Sequence, residues 1–195
     1  MSGNPPASKR APDPRTLRTR ERLGDALVAL IQEKPFADIT VQDVLERAQV
    51  SRSTFYEHYR DKDDLFVSDV EDFLDWLVAI VPTSGERSDR VLPVRELFAH
   101  AAHMGEFVSA LEAGGRFQVF LDLAQGYFAR AIEQRFADLP RASALPAERR
   151  PALAQALAGG LLSLLVWWLK NGRRGTPEEM DALFHRQVWG GVGGA

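Results

Sequence analysis

The sequence contains no cysteine, which excludes disulfides, thiolate metal sites and cysteine nucleophiles together. It lacks an apolar leader: residues 1–14 are polar and rich in Pro, Ser and Gly, with Lys9 and Arg10 among them, unlike a secretory signal. The longest apolar run, residues 156–169, is interrupted by Gly159, Gly160 and Ser163. It is shorter than the ~18 residues of a membrane span and reads as a buried helix. No segment alternates with the period of two that a half-buried strand requires. Motifs of a nucleophile elbow, a P-loop or a zinc hydrolase are missing, so no enzyme, cofactor or metal is expected. Net positive charge is missing as well. At −3 overall the chain is unsuited to indiscriminate nucleic-acid binding, and a cytoplasmic location without a membrane partner is expected.

What is present describes a folded, all-α protein. Its 195 residues are 45% hydrophobic and 26% charged, in the range of globular domains. Residues 1–60 hold ten basic against eight acidic side chains, which makes this third +2 and leaves −5 to the rest. Lys9, Arg10, Arg15, Arg18, Arg20 and Arg22 supply six of those ten cations, so an anionic partner is expected at this end.

Leu23, Leu27, Leu30 and Ile31 recur at helical spacing and predict a first helix over 15–33, stopped by Lys34, Pro35 and Phe36. Thr40 with Asp43 forms a capping-box variant opening a second, two-turn helix striped by Val41, Val44, Leu45 and Ala48. Ser51 caps a third over 52–59, and Asp61 caps a fourth that runs towards Pro82. A Pro-, Gly- and Ser-bearing linker over 82–89 follows. Helices are then expected over 91–103, 106–112, 116–136, 151–170 and 177–189, giving about nine in all. Gly172 suits a left-handed C-terminal position, and Thr176, Pro177 and Glu179 form a cap, first-turn proline and capping box. The expected division is a disordered basic tail over 1–14 and a helix-turn-helix domain over 15–61. A helical effector-binding and dimerisation domain covers 62–190, and a flexible tail covers 191–195.

Two short helices joined by a tight turn, with Val44, Leu45, Ala48, Val50 and Phe55 facing inward, describe a helix-turn-helix. The outer side of the second helix of this pair is left with Arg52, Ser53, Thr54, Tyr56 and His58, opposed only by Glu57. Such groups donate to phosphate oxygens or read base edges, and arginine bonds guanine bidentately. Over residues 39–66, ITVQDVLERAQVSRSTFYEHYRDKDDLF, the sequence resembles the DNA-binding signature of the TetR/AcrR regulators. The resemblance includes the Thr-Phe-Tyr-x-His-Tyr core and the lysine that opens the fourth helix.

That resemblance implies phosphate contacts at Thr40 and Lys62, further contacts at Tyr56 and His58, and groove reading by Arg52, Ser53 and Thr54 beside the Ser51 cap. It makes Phe55 and Tyr59 core, with a Tyr59 hydroxyl in need of a partner. Gln49 stands where the family commonly has glycine, and a non-glycine at positive φ is less favourable by about 1 kcal/mol. The implied function is a ligand-responsive repressor binding palindromic double-stranded operator DNA as a homodimer. An effector would tilt the fourth helix and separate the two recognition helices. An activator or adaptor acting through protein contacts is the alternative.

The helix over 151–170 is apolar nearly all round and must be covered on both sides. In so small a chain the second cover could be another subunit, and the resemblance implies a four-helix bundle built by the last two helices of each copy. The expected interface is Leu157, Leu161, Leu164, Trp168, Leu183 and Phe184. Aromatic residues of the middle helices are mostly core. Trp76, His100, His103, Phe120 and Tyr127 are the candidates to line the pocket for an unidentified small molecule. His100 and His103 also stand at a spacing that could share a metal with His185 or a carboxylate, although hydrogen bonding is the commoner fate of such a pair. The string WWLKNGRRGTPEEM is similar to a C-terminal region of one TetR branch that includes activators of dihydroxyacetone kinase genes.

Overall fold

The computed structural model describes residues 13–80 and 88–192. The predicted tail up to residue 12, the linker at 82–87 and the end at 193–195 lie outside the described residues. Among these, the chain is all-α, with nine α-helices and no strand. It divides into two compact units, one ending at Phe66 and one beginning at Val67.

The first unit contains α1 (Pro14–Glu33), α2 (Val41–Ala48) and α3 (Arg52–His58), and α4 (Lys62–Ala79) begins in it. The first helix starts one residue inside the predicted tail. Asp13 accepts a hydrogen bond from the Arg15 N–H at 3.0 Å and Pro14 occupies the first turn, where its missing N–H costs nothing. Leu23, Leu27, Leu30 and Ile31 are all buried. A 3-10 turn, Phe36–Asp38, joins α1 to α2 and buries Phe36 edge-on against Phe66 at 5.6 Å.

The second unit holds α5 (Val94–His103), α6 (Gly105–Ala113), α7 (Phe117–Asp138), α8 (Arg150–Lys170) and α9 (Pro177–Val192). There α7 packs along α8 and α5 against α9. Two 3-10 turns, Pro140–Ala142 and Ala147–Arg149, join α7 to α8. The run Ala147–Lys170 reaches 24 residues, with a mean hydropathy of 1.7 over its most apolar 18, longer than the interrupted stretch in the sequence suggests. By length and composition alone it could cross a membrane, but here Ala154, Ala158, Leu161, Leu162, Leu165 and Trp168 form a buried face. Trp168 lies edge-on to Phe98 at 5.1 Å and donates its indole N–H to the Gly175 carbonyl. The α9 helix continues to Val192, beyond the predicted stop at 189.

Residues 88–91 are tied down by side chains of the later helices. Arg135, the buried charged residue of this unit, donates to the Ser88 and Arg90 carbonyls at 2.8 and 3.1 Å. The Trp189 indole donates to the Asp89 carbonyl, and His185 Nε2 accepts the Val91 N–H at 3.0 Å. These bonds satisfy backbone groups that no helix or strand pairs, and a polar group that is buried without a partner costs ~1–3 kcal/mol.

Candidate nucleic-acid interface

Two hydroxyl caps set α2 and α3. The Thr40 hydroxyl accepts the Asp43 N–H at 3.1 Å, while the Asp43 carboxylate accepts from the Thr40 N–H and hydroxyl, both at 2.7 Å. Hydrogen bonding from Lys34 and then from Thr40 holds the Asp43 carboxyl well below the usual range. Ser51 caps α3 by accepting the Thr54 N–H, and its hydroxyl lies 3.0 Å from that of Ser53 and 2.8 Å from that of Thr54.

Between them α2 closes on Gln49 at φ 51, ψ 48. The Gln49 and Val50 N–H groups return to the Glu46 and Leu45 carbonyls at 3.3 and 3.1 Å, the bonding of a Schellman motif with glutamine in the left-handed position. Arg22 reaches from α1 and donates to the Ala48 and Gln49 carbonyls. Arg47 grips Glu33 through both carboxylate oxygens at 2.9 and 2.7 Å, a second tie between α2 and α1.

The recognition helix divides into an anchored and a free side. Phe55 is fully buried and contacts both Tyr56 and Tyr59 with its ring. Tyr59 is buried, and its hydroxyl finds a partner as acceptor from Arg20 Nε at 3.1 Å. On the free side Ser51, Arg52, Ser53 and Glu57 are exposed, Tyr56 is 49% exposed, and Thr54 and His58 are half-buried. The Arg52 guanidinium stands 5.7 Å above the Tyr56 ring, which pre-orders both side chains. Arg52 makes no ion pair among the described residues.

Lys62 is turned towards its own unit. Its ammonium donates to the carbonyls of Phe36, Ala37 and Ile39 at 2.7, 3.1 and 2.5 Å and sits 4.7 Å over the Phe36 ring. All three N–H bonds are thus directed at the protein, where they close the 3-10 turn between α1 and α2. Thr40 is exposed at the start of α2, with its hydroxyl engaged by Asp43.

In the second unit, three of the five expected pocket residues gather round one further aromatic side chain. Phe73 lies 4.6 Å from the His100 ring, 5.9 Å from Trp76 and 6.5 Å from Phe120. Trp76 is 56% exposed. Partial desolvation, and then His103 nearby, lowers the His100 pKa. His103 itself turns its Nδ1 to the Ala99 carbonyl at 2.6 Å. Tyr127 stands apart from this cluster under the Arg130 guanidinium at 4.8 Å, and desolvation and the carboxylates of Asp75 and Glu71 raise its phenol pKa. Both ring nitrogens of His185 are engaged by backbone groups. Among the described residues no three His, Asp or Glu side chains come together as metal ligands do.

Of the six expected interface residues, Leu161, Trp168 and Phe184 belong to the core of their own unit. Leu157, Leu164 and Leu183 remain half-buried, and Trp167, not among the six, is 50% exposed.

Comparison with known proteins adds to this geometry. Residues 23–68 match the model for bacterial regulatory proteins of the tetR family. Over 54 residues the chain is 41% identical to an uncharacterized HTH-type transcriptional regulator, YxbF, of Bacillus subtilis (strain 168). The matched stretch makes up 27% of this chain and 14% of that protein. A TetR transcriptional regulator from Streptococcus agalactiae has a similar fold, with a TM-score of 0.59 at 23% identity over 89% of this chain and 95% of that one. The dihydroxyacetone kinase operon activator DhaS is similar at a TM-score of 0.64 and 13% identity, over 90% of this chain and 96% of that one.

Proposed function

We propose, from the match of residues 23–68 to the model for bacterial regulatory proteins of the tetR family, that the chain is a TetR-type regulator, a ligand-responsive repressor acting in the cytoplasm on a palindromic operator as a homodimer. The observation that carries this reading is the two-sided α3. Its inner side is fixed by Phe55 and Tyr59, and its outer side offers Arg52, Ser53 and Tyr56 free of any acidic partner among the described residues. Such a helix is suited to enter a major groove, and two copies related by a two-fold axis would read two half-sites. The half-buried Leu157, Leu164 and Leu183, with Trp167, are among the apolar side chains left to a partner copy. The cluster of Phe73, Trp76, His100 and Phe120 is the proposed effector site. The effector would act through α4, which carries Phe73 and Trp76 and opens at Lys62.

The test is selection of bound sequences from random duplex DNA by the purified protein. Binding of the recovered site is then compared with that of the Arg52→Ala/Tyr56→Ala double variant. A palindrome should emerge, and the double variant should lose at least ~2 kcal/mol of specific binding. A wild-type protein that enriches no sequence, or a folded double variant with unchanged affinity, would overturn the reading. Activation in place of repression has one observation in its favour: DhaS, which shares the fold, is by its name an operon activator. Transcription in vitro from a promoter carrying the selected site decides the sign.

A further inference from the structure

We infer that Arg22 is a positioning residue for the recognition helix: from α1 it holds the turn between α2 and α3 in the left-handed conformation that glycine would adopt unaided. The inference rests on the DNA-binding reading above and adds to it a control on specificity.

The argument starts from the two carbonyls that Arg22 holds. The Ala48 carbonyl belongs to the peptide before the Gln49 Cα and the Gln49 carbonyl to the peptide after it. One guanidinium nitrogen donates to both. The relative orientation of those two peptide planes is what the φ and ψ of residue 49 describe. Binding both carbonyls from a single point therefore fixes the pair of dihedrals that a glutamine does not favour. The left-handed region is unfavourable for an ordinary L-residue, and Gln49 sits in it at φ 51.

The location adds to the effect. The last carbonyls of α2 carry the negative end of its dipole, where a cation is favoured. Ser51, the cap of α3, lies two residues beyond Gln49, so the dihedrals at 49 set the direction in which α3 leaves the turn. At seven residues, α3 is too short to hold a direction by itself. Its far end is also held from α1, through Arg20 Nε and the Tyr59 hydroxyl. One helix thus grips the recognition helix at both ends. Arg22 acts on DNA through the turn, and its own contacts are with backbone oxygen.

The experiment compares wild type, Arg22→Ala, Gln49→Gly and the double variant on the selected operator and on non-specific duplex, across a salt series, with far-UV circular dichroism of each. Arg22→Ala is expected to weaken operator binding about tenfold, while non-specific binding stays within about twofold. The slope of log affinity against log salt should be unchanged, because no phosphate contact is lost. Glycine at 49 needs no clamp, so Gln49→Gly alone should bind at least as well as wild type, and the double variant should return to within about threefold of it.

Operator binding by Arg22→Ala equal to wild type, a salt slope reduced by about one, or a double variant no better than the single one would each overturn the inference. If Arg22→Ala does not fold, the double variant decides: recovery of helix content and operator binding supports the clamp, and failure to recover removes it. A wild-type protein that selects no operator defeats the DNA-binding reading itself, which is a separate outcome.

Discussion

Adjacent residues of α3 should respond to truncation in opposite ways. Phe55 is fully buried, with ring contacts to Tyr56 at 5.3 Å and Tyr59 at 5.7 Å, whereas Tyr56 is 49% exposed. Replacing a buried phenylalanine by alanine costs about 3–5 kcal/mol through lost transfer energy and the cavity left behind. A unit of roughly fifty residues has only about 3–8 kcal/mol of stability in all. Phe55→Ala should therefore leave the first unit largely unfolded and abolish operator binding as a consequence. Tyr56→Ala loses one edge-on ring contact, about 0.5–1.5 kcal/mol, so that unit stays folded and the loss appears in DNA affinity. Urea denaturation followed by circular dichroism, beside a binding titration, separates the two. The reasoning fails if Phe55→Ala folds with wild-type stability, or if Tyr56→Ala unfolds the unit before any binding can be measured.

Lys62→Met should destabilise the first unit by about 1.5–3 kcal/mol, since hydrogen bonds from an ammonium are lost at three carbonyls. Its salt slope for DNA should equal that of wild type, and a slope lower by about one would instead restore Lys62 to a phosphate. Acid should also weaken this unit. The Asp43 carboxyl is held below its ordinary value of 3.8 by Lys34 and then Thr40, with Glu33 lowered by Arg47 and Asp64 by Arg60. Groups whose pKa is lower folded than unfolded stabilise fully above the unfolded value and lose that contribution as pH falls from there through the folded value. Thermal unfolding should be insensitive to pH down to about 5 and should fall below about 4. Asp43→Asn should flatten part of that fall, and an unchanged acid profile in the variant would refute the assignment.

The caps and stripes that define these helices were legible because they are local. Thr40 with Asp43, Ser51 with Thr54, Asp61 with Asp64 and Thr176 with Glu179 each act within one turn, and each is present as expected. The left-handed turn at Gln49 was legible only through the resemblance, which has glycine at that position. The ties between elements were not. Nothing near Arg22 announces carbonyls twenty-six residues on, and Lys62 reaches back a similar distance to the Phe36–Asp38 turn. Three-residue 3-10 turns carry no period for a sequence to display. Phe73 was visible only as one aromatic among many, because what distinguishes it is the company of His100 and Phe120 from two other helices.

The α8 helix shows why apolar composition predicts burial better than it predicts a partner. Its residues are apolar on nearly every side, so a helical wheel places Leu157, Leu161, Leu164 and Trp168 on one continuous seam. The fold divides that seam. Leu161 and Trp168 turn towards the core of their own unit, Trp168 with its indole N–H bonded to Gly175, while Leu157 and Leu164 stay half-covered. Trp167, one residue earlier and about 100° round the helix, keeps half of its surface in solvent. A second subunit can use only what the first core leaves outside. The apolar surface open to an association therefore includes Leu157, Leu164, Val166 and Trp167, and substitutions at Trp168 report on folding before they report on any interface.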